Sequence, residues 1–373
     1  RQGYQFEDTQ GTFHLKKAEN ISYLYFPIAG EAGLKSSLTP NLGGDAKIDQ
    51  NTFLLEPVSA ENLVNNRNSR NFWCNVTGIG SWSLTGNAAE ALSKKFTEMQ
   101  DDSEVTAGFM WQKTTRESKK YQLRGEILSF IPVEKNVEVM LVTITNTGRM
   151  AQTVTPTAAI PLYGRSADNI RDHRHVTSLL HRIETTDTGV LVTPTLSFDE
   201  RGHQVNHMTY YCVGWSGNGE KPVDFYPTAE DFVGEGGNFE RPYAIVKKAE
   251  GVKAGTRIEG LEAVGGLHFS EVTLEPEEEC SYLIFTGITE DIQEIRNLSK
   301  TYTTREMVLE ELEKTKAYWQ EKVNVAYHTG DSDFNQFMHW VSFQPILRRI
   351  YAVSYTHLRS PRDGATSRMP SSA

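Results

Sequence analysis

Residues 137–163 read VEVMLVTITNTGRMAQTVTPTAAIPLY, and the two ends of that stretch carry different patterns. Toward its end Val154, Ala158, Ile160 and Leu162 share one face of an extended chain, while Thr153, Thr155 and Thr157 begin the other, as in a strand with one dry face. From Val137 to Asn146 both faces are apolar through the middle, the pattern of a strand covered on both sides. Asn146-Thr147-Gly148 supplies a turn, and the second strand is expected to return antiparallel to the first.

Working outward, short runs of the same kind recur at 22–27, 71–76, 105–115, 121–131, 176–183, 190–198, 208–215, 267–274 and 280–286, separated by Gly, Asn, Asp and Pro. With the first two they make at least eleven strands and almost no helical periodicity before residue 289. The fold class that follows is mainly β, a large antiparallel sandwich of two sheets packed face to face. Near Thr303 the period changes. Thr303 and Glu306 have the spacing of a capping box, and Val308, Leu312, Thr315, Trp319 and Val323 then recur on one side of a charged helix. A second helical segment, 333–351, is apolar nearly all round, so it asks for cover on more than one side, and Pro345 should kink or break it. Residues 352–373 have few apolar side chains and clustered Ser, Arg and Pro, the composition of a disordered tail; they read as text foreign to a frame interrupted after Tyr351. The expected division is therefore 1–300 sandwich, 301–351 helical linker, and 352–373 tail.

A net charge of −10, from 48 acidic against 38 basic side chains, gives no general attraction to nucleic acid or to an anionic membrane. No apolar run approaches the roughly 20 residues of a membrane span. Cys74, Cys212 and Cys280 are odd in number and far apart, which favours a reducing compartment and a cytoplasmic protein. Phosphate-loop, nucleophile-elbow, zinc-helix and paired CxxC motifs are absent from the sequence.

Against that acidic background, residues 164–183, GRSADNIRDHRHVTSLLHRI, hold Arg165, Arg171, Arg174 and Arg182 with His173, His175 and His181. Closely spaced guanidinium forks are costly to hold together unless carboxylates, phosphate or sugar hydroxyls take up their donors, and only Asp168 and Asp172 lie inside the cluster. A surface ion-pair network that fixes a loop is the other reading of the same residues. On a strand, His173 and His175 would point the same way and could hold a metal with Asp172, although the adjacent arginines repel a cation. A second constellation, FYPTAEDFVGEGGNFERP at 225–242, sets Glu230, Asp231, Glu235 and Glu240 among glycines; paired carboxylates can act as acid and base in glycoside cleavage, wall a sugar site, or form an exposed acidic loop. A third, 42–53 followed by 65–73, mixes Asn, Gln, Asp and Arg with aromatic rings, the side chains that hydrogen-bond and stack on sugars, or simply turn-rich sequence.

Three stretches, SYLYFPIAGEAGLKSSLTPNLGGDAKIDQNTFLLEPVSAENLVNNRNSRNFW, AIPLYGRSADNIRDHRHVTSLLHRI and EDFVGEGGNFERP, together resemble the amino-terminal part of the glycoside phosphorylases of glycoside hydrolase family 94, formerly glycosyltransferase family 36. Within that family they look closest to the β-1,2-oligoglucan phosphorylases, with cellobiose, cellodextrin and chitobiose phosphorylases more distant. The resemblance implies a supersandwich, a segment 301–351 that holds the helical linker and the first barrel helix, and a catalytic (α/α)6 barrel that is missing from this sequence. It also implies inverting cleavage of a β-linked gluco-oligosaccharide by inorganic phosphate as co-substrate, with no other cofactor. Because the family's general acid lies in the barrel, no catalytic residue is assigned. Arg165, Asp168, Arg171, Asp172, His173, Arg174, Glu230 and Asp231 are the expected substrate-binding groups, on a wall that relatives present within one chain or across a homodimer. The competing class is a non-catalytic carbohydrate-binding sandwich.

Overall fold

The computed structural model describes residues 3–21, 24–58, 67–199 and 202–356. An eleven-stranded antiparallel sheet runs in the order Tyr4–Phe6, Phe13–Lys16, Asp102–Gly108, Trp111–Ser118, Leu123–Phe130, Val137–Asn146, Glu279–Thr289, Thr209–Ser216, Gly189–Val192, Arg182–Thr185, Arg257–Glu259. A six-stranded sheet faces it, ordered Asp224–Thr228, Ala263–His268, Gln152–Leu162, Asn71–Val76, Gly80–Ser83, with Val272–Leu274 also pairing Gln152–Leu162. A four-stranded sheet, Phe26–Ala29, Lys35–Leu38, Ala46–Asp49 and Thr52–Leu55, packs at one end.

Strand Val137–Asn146 is covered on both faces because alternate side chains enter different cores. Met140, Val142 and Ile144 face the six-stranded sheet; Val137, Val139 and Leu141 face helices Ile292–Thr301 and Arg305–Lys322 through Ile295, Leu298, Val308 and Leu312. The expected hairpin with the next strand does not form. Both edges of Val137–Asn146 are taken, by Leu123–Phe130 and Glu279–Thr289, so the chain after Asn146 crosses to the opposite sheet. Asn146 organises that crossing: its amide donates to the carbonyls of Met150 and Leu274 at 2.8 and 2.9 Å, and its carbonyl accepts from Gly148 N.

Three further expectations are corrected. Residues 105–115 are two strands joined at Phe109 and Met110, the latter at φ 64°. Residues 176–183 hold the end of a short helix, Arg174–Ser178, before strand Arg182–Thr185, so His173 and His175 do not share a strand face. Helix Arg305–Lys322 starts after Thr304, one residue later than the capping-box spacing suggests and with no side-chain cap, and buries the expected Val308, Leu312, Thr315 and Trp319.

The last helix runs unbroken from Ser332 through Pro345 to Thr356; residues 357–373, most of the expected tail, lie outside the described residues. One side of it docks into the chain itself. Phe343 stacks on Phe109 with centroids 4.3 Å apart, Trp340 Nε1 donates to Gly11 O at 2.7 Å, and Tyr351 Oη donates to Ser36 O at 2.8 Å. The other side leaves Phe334, Phe337 and Val341 between 43% and 53% exposed, at the spacing of one helix face. Among the described residues no helix is long and apolar enough to cross a membrane.

Candidate functional site

Strand Gln152–Leu162 ends in a segment fixed by the four-stranded sheet. Tyr163 N donates to Leu54 O at 2.8 Å, Gly164 N to Phe53 O at 3.0 Å, and Phe53 N to Arg165 O at 3.0 Å. Gly164 turns the chain at φ 59°, where a Cβ is disfavoured, and sends Arg165 back under the sheet. Ser166 and Asn169 close the next turn through their side chains, and Arg174 opens the short helix that follows.

Four charged side chains from four segments meet there. Arg174 Nη2 bonds Glu56 Oε1, Arg174 Nη1 lies 3.7 Å from Glu262 Oε1, and Arg67 Nη1 bonds Glu262 Oε2 at 3.1 Å. Burial disfavours the Arg174 charge, but the bond to Glu56 and the two carboxylates outweigh it and raise its pKa. Arg165, deeper still, is pulled the other way: burial lowers its pKa and Glu262 offsets this in part.

Arg67, Arg174 and Glu262 line an open cleft of about 380 Å³ whose far wall is the loop 229–242. Gly234 and Gly237 shape that loop, because a Cβ at Gly234 would lie 2.5 Å from Tyr243 Cβ, and one at Gly237 would lie 2.2 Å from Val233 O. A smaller blind end of about 20 Å³, lined by Tyr163, Arg165, Phe239 and Glu262 among others, leads off the cleft.

Of the residues expected to face substrate, the fold brings Arg165, Arg174 and Glu230 to this cleft. Asp231 is engaged elsewhere: its carboxylate accepts from Thr228 Oγ1 at 2.7 Å and its N–H donates back at 3.1 Å, capping helix Ala229–Val233. Asp168, Asp172 and His173 are exposed and do not line it, and Asp172 accepts from Asn169 Nδ2 at 2.9 Å. The side chain of Arg171 lies outside the described part. Of the third constellation, Trp73 is a core side chain, 42–53 contributes two strands, and Asn65 and Asn66 lie outside the described residues. Among the described residues no His, Cys, Asp and Glu cluster is placed to hold a metal ion.

Glu56 and Glu262 carry no motif; each is a lone acid beside a strand, brought to the arginines only by the fold. His181 was legible as part of the cluster but is a buried strut. Its Nδ1 donates to Leu261 O at 3.2 Å, and burial, with the Arg165 charge adding to it, lowers its pKa to about 3. The unfolded chain takes up a proton near pH 6.5 and the folded chain does not, so this contribution to stability is present above pH 6.5 and is lost as pH falls, by about 1.4 kcal/mol at pH 5.5. Urea unfolding at pH 7.5 and 5.5 should show that loss in the parent chain and not in His181→Gln; equal losses would contradict it.

Two face-packed antiparallel sheets with an arginine- and carboxylate-lined cleft at the end of the central strands of the smaller one define a large β-supersandwich. A family model described as glycosyl hydrolase 94, supersandwich domain, matches residues 62–305, well over half of the chain, and the chain belongs to that family of carbohydrate-active enzymes. No curated protein matches the sequence. Among solved structures the chain is similar to a bacterial glucoamylase complexed with acarbose (9% identity, TM-score 0.45, covering 84% of this chain and 39% of that one). It is also similar to a family GH92 α-mannosidase from Bacteroides thetaiotaomicron (10% identity, TM-score 0.39, covering 90% and 37%). A third is a putative aldose 1-epimerase from Escherichia coli K12 (9% identity, TM-score 0.35, covering 71% and 98%). The chain thus spans well under half the length of the glucoamylase and the mannosidase.

Proposed function

We propose that this chain is the N-terminal portion of a cytoplasmic, inverting glycoside phosphorylase, and that its cleft forms part of the wall that holds a β-linked gluco-oligosaccharide. The observation that carries this is the cleft itself: Arg67 and Arg174 pre-paired with Glu56 and Glu262 around a rim containing Phe239, in a domain of this family. Paired forks and carboxylates present fixed donors and acceptors with little net charge, which suits a neutral hydroxylated ligand. The exposed apolar stripe of helix Ser332–Thr356 is in keeping with further structure packing against it in the parent protein.

In the proposed reaction a carboxylic acid protonates the glycosidic oxygen while phosphate attacks the anomeric carbon from the opposite face, releasing glucose 1-phosphate. Phosphate is already an anionic nucleophile, so one acid suffices and no general base is needed. That acid is not assigned to any residue of this chain, and Asp172 and Asp231 are not candidates for it. The test is phosphorolysis by a full-length protein that carries this domain, against β-1,2-, β-1,3- and β-1,4-linked glucose oligomers. Glucose 1-phosphate should form only with phosphate present, with β-1,2 linkages preferred; phosphate-independent release of glucose would contradict the proposal. In that protein Arg174→Ala should raise KM for the oligosaccharide roughly tenfold, the loss of a charged hydrogen-bonding partner. An unchanged KM in a folded variant would remove Arg174 from the binding wall.

A further inference from the structure

Three buried polar atoms that the fold leaves without a hydrogen-bond partner, Tyr163 Oη, Arg165 Nε and Glu262 Oε1, belong to side chains that line the blind end of the cleft. Arg165 is 9% exposed, and its guanidinium lies over the Tyr163 ring, 5.1 Å from the centroid. Glu262 spends Oε2 on Arg67 at 3.1 Å, whereas Oε1, 3.7 Å from Arg174 Nη1, is beyond hydrogen-bonding distance. Buried groups of this kind are costly to leave unpaired, and native folds leave few of them. Finding a donor, an acceptor and a hydroxyl unsatisfied around one cavity marks it as built for an occupant.

The chemistry of the occupant follows from the atoms. Arg165 Nε–H only donates, Glu262 Oε1 only accepts, and Tyr163 Oη does either. A sugar hydroxyl accepts one bond and donates another, the two capacities that Arg165 Nε and Glu262 Oε1 leave unused. Phosphate oxygens mostly accept, so although Arg67, Arg165 and Arg174 in the same lining would attract a phosphate, Glu56 and Glu262 would oppose it and Glu262 Oε1 would still lack a donor. About 20 Å³ admits roughly one oxygen atom, while the adjoining 380 Å³ has room for the rest of a ring.

We propose that the blind end between Tyr163, Arg165 and Glu262 receives one hydroxyl of a neutral sugar ring in preference to phosphate. It deepens, and rests on, the sugar-binding role assigned to the cleft above. The test is calorimetric titration of the 373-residue chain with a β-1,2-linked glucose disaccharide, its monodeoxy analogues, and inorganic phosphate as competitor. One monodeoxy position should bind at least about tenfold more weakly than the parent sugar, because its absence leaves buried partners unpaired. Tyr163→Phe and Arg165→Lys should each weaken the parent sugar by a similar factor, and phosphate should not displace it. If the sugar binds but every deoxy analogue binds alike, or phosphate competes, the hydroxyl receptor is wrong while the sugar-binding cleft stands. If no sugar binds the parent chain, the cleft assignment falls and the receptor with it. The deoxy series is read on the parent chain, so a variant that fails to fold leaves the test intact.

Discussion

Glu138→Ala is expected to destabilise the chain by about 3–5 kcal/mol, the effect of leaving a buried charge without its partner. Glu138 and Arg70 are 3% and 1% exposed. Arg70 Nε and Nη2 grip the two carboxylate oxygens at 2.7 and 2.9 Å, and Nη1 donates to Gly44 O at 2.7 Å. Ser36 Oγ adds a further bond to Glu138 at 2.6 Å. Arg70 directly precedes strand Asn71–Val76 of the six-stranded sheet, Glu138 lies in the central strand of the eleven-stranded sheet, and Ser36 and Gly44 belong to the four-stranded layer, so one pair pins all three. Replacing both partners, as Arg70→Met with Glu138→Leu, should recover most of the loss because no charge is stranded. Urea unfolding of the three proteins measures this, and a single-variant loss below about 1 kcal/mol would mean that the pin is solvated.

Phe343→Ala should cost about as much, roughly 3–5 kcal/mol, by opening a cavity where a fully buried ring stacks on Phe109 and meets Trp319 edge-on. Phe337→Ser, six residues earlier on the exposed side of the same helix, should change stability by no more than about 0.5 kcal/mol. Equal losses would mean that both faces of this helix are packed within the chain; negligible losses at both would mean that it does not dock.

The contrast between those two sites shows what the sequence could disclose. The all-round apolar character of 333–351 was legible, yet not that its Trp340 packs on Phe13 and Phe26 from distant strands and on Phe109 from the turn between two others. The two-faced pattern of Val137–Asn146 correctly marked a strand between two cores, because a period of two sorts side chains by face without needing to know the partner. Which neighbours it pairs with is a question of topology, and a short turn at Asn146–Gly148 serves a crossing between sheets as well as a hairpin.

Within the cleft, the arginine cluster stood out by charge density, but its acids did not. Glu56 and Glu262 are 206 positions apart in the chain and meet across Arg174 only once the strands are assembled. Lys35–Leu38 escaped notice as a strand because its short, polar sequence KSSL lacks the apolar alternation that signals one, although Lys35, Ser36 and Leu38 are all buried. Asp168, Asp172 and His173 share the stretch that holds Arg165 and Arg174 but lie within or after the turn closed by Ser166 and Asn169 and are exposed away from the cleft.

The most direct measurement is a crystal structure of the chain with a β-1,2-linked glucose disaccharide. The sugar is expected in the cleft beside Phe239 and Arg174, with one hydroxyl within hydrogen-bonding distance of both Arg165 Nε and Glu262 Oε1. Water alone at the blind end, with the disaccharide bound elsewhere on the supersandwich, would contradict it.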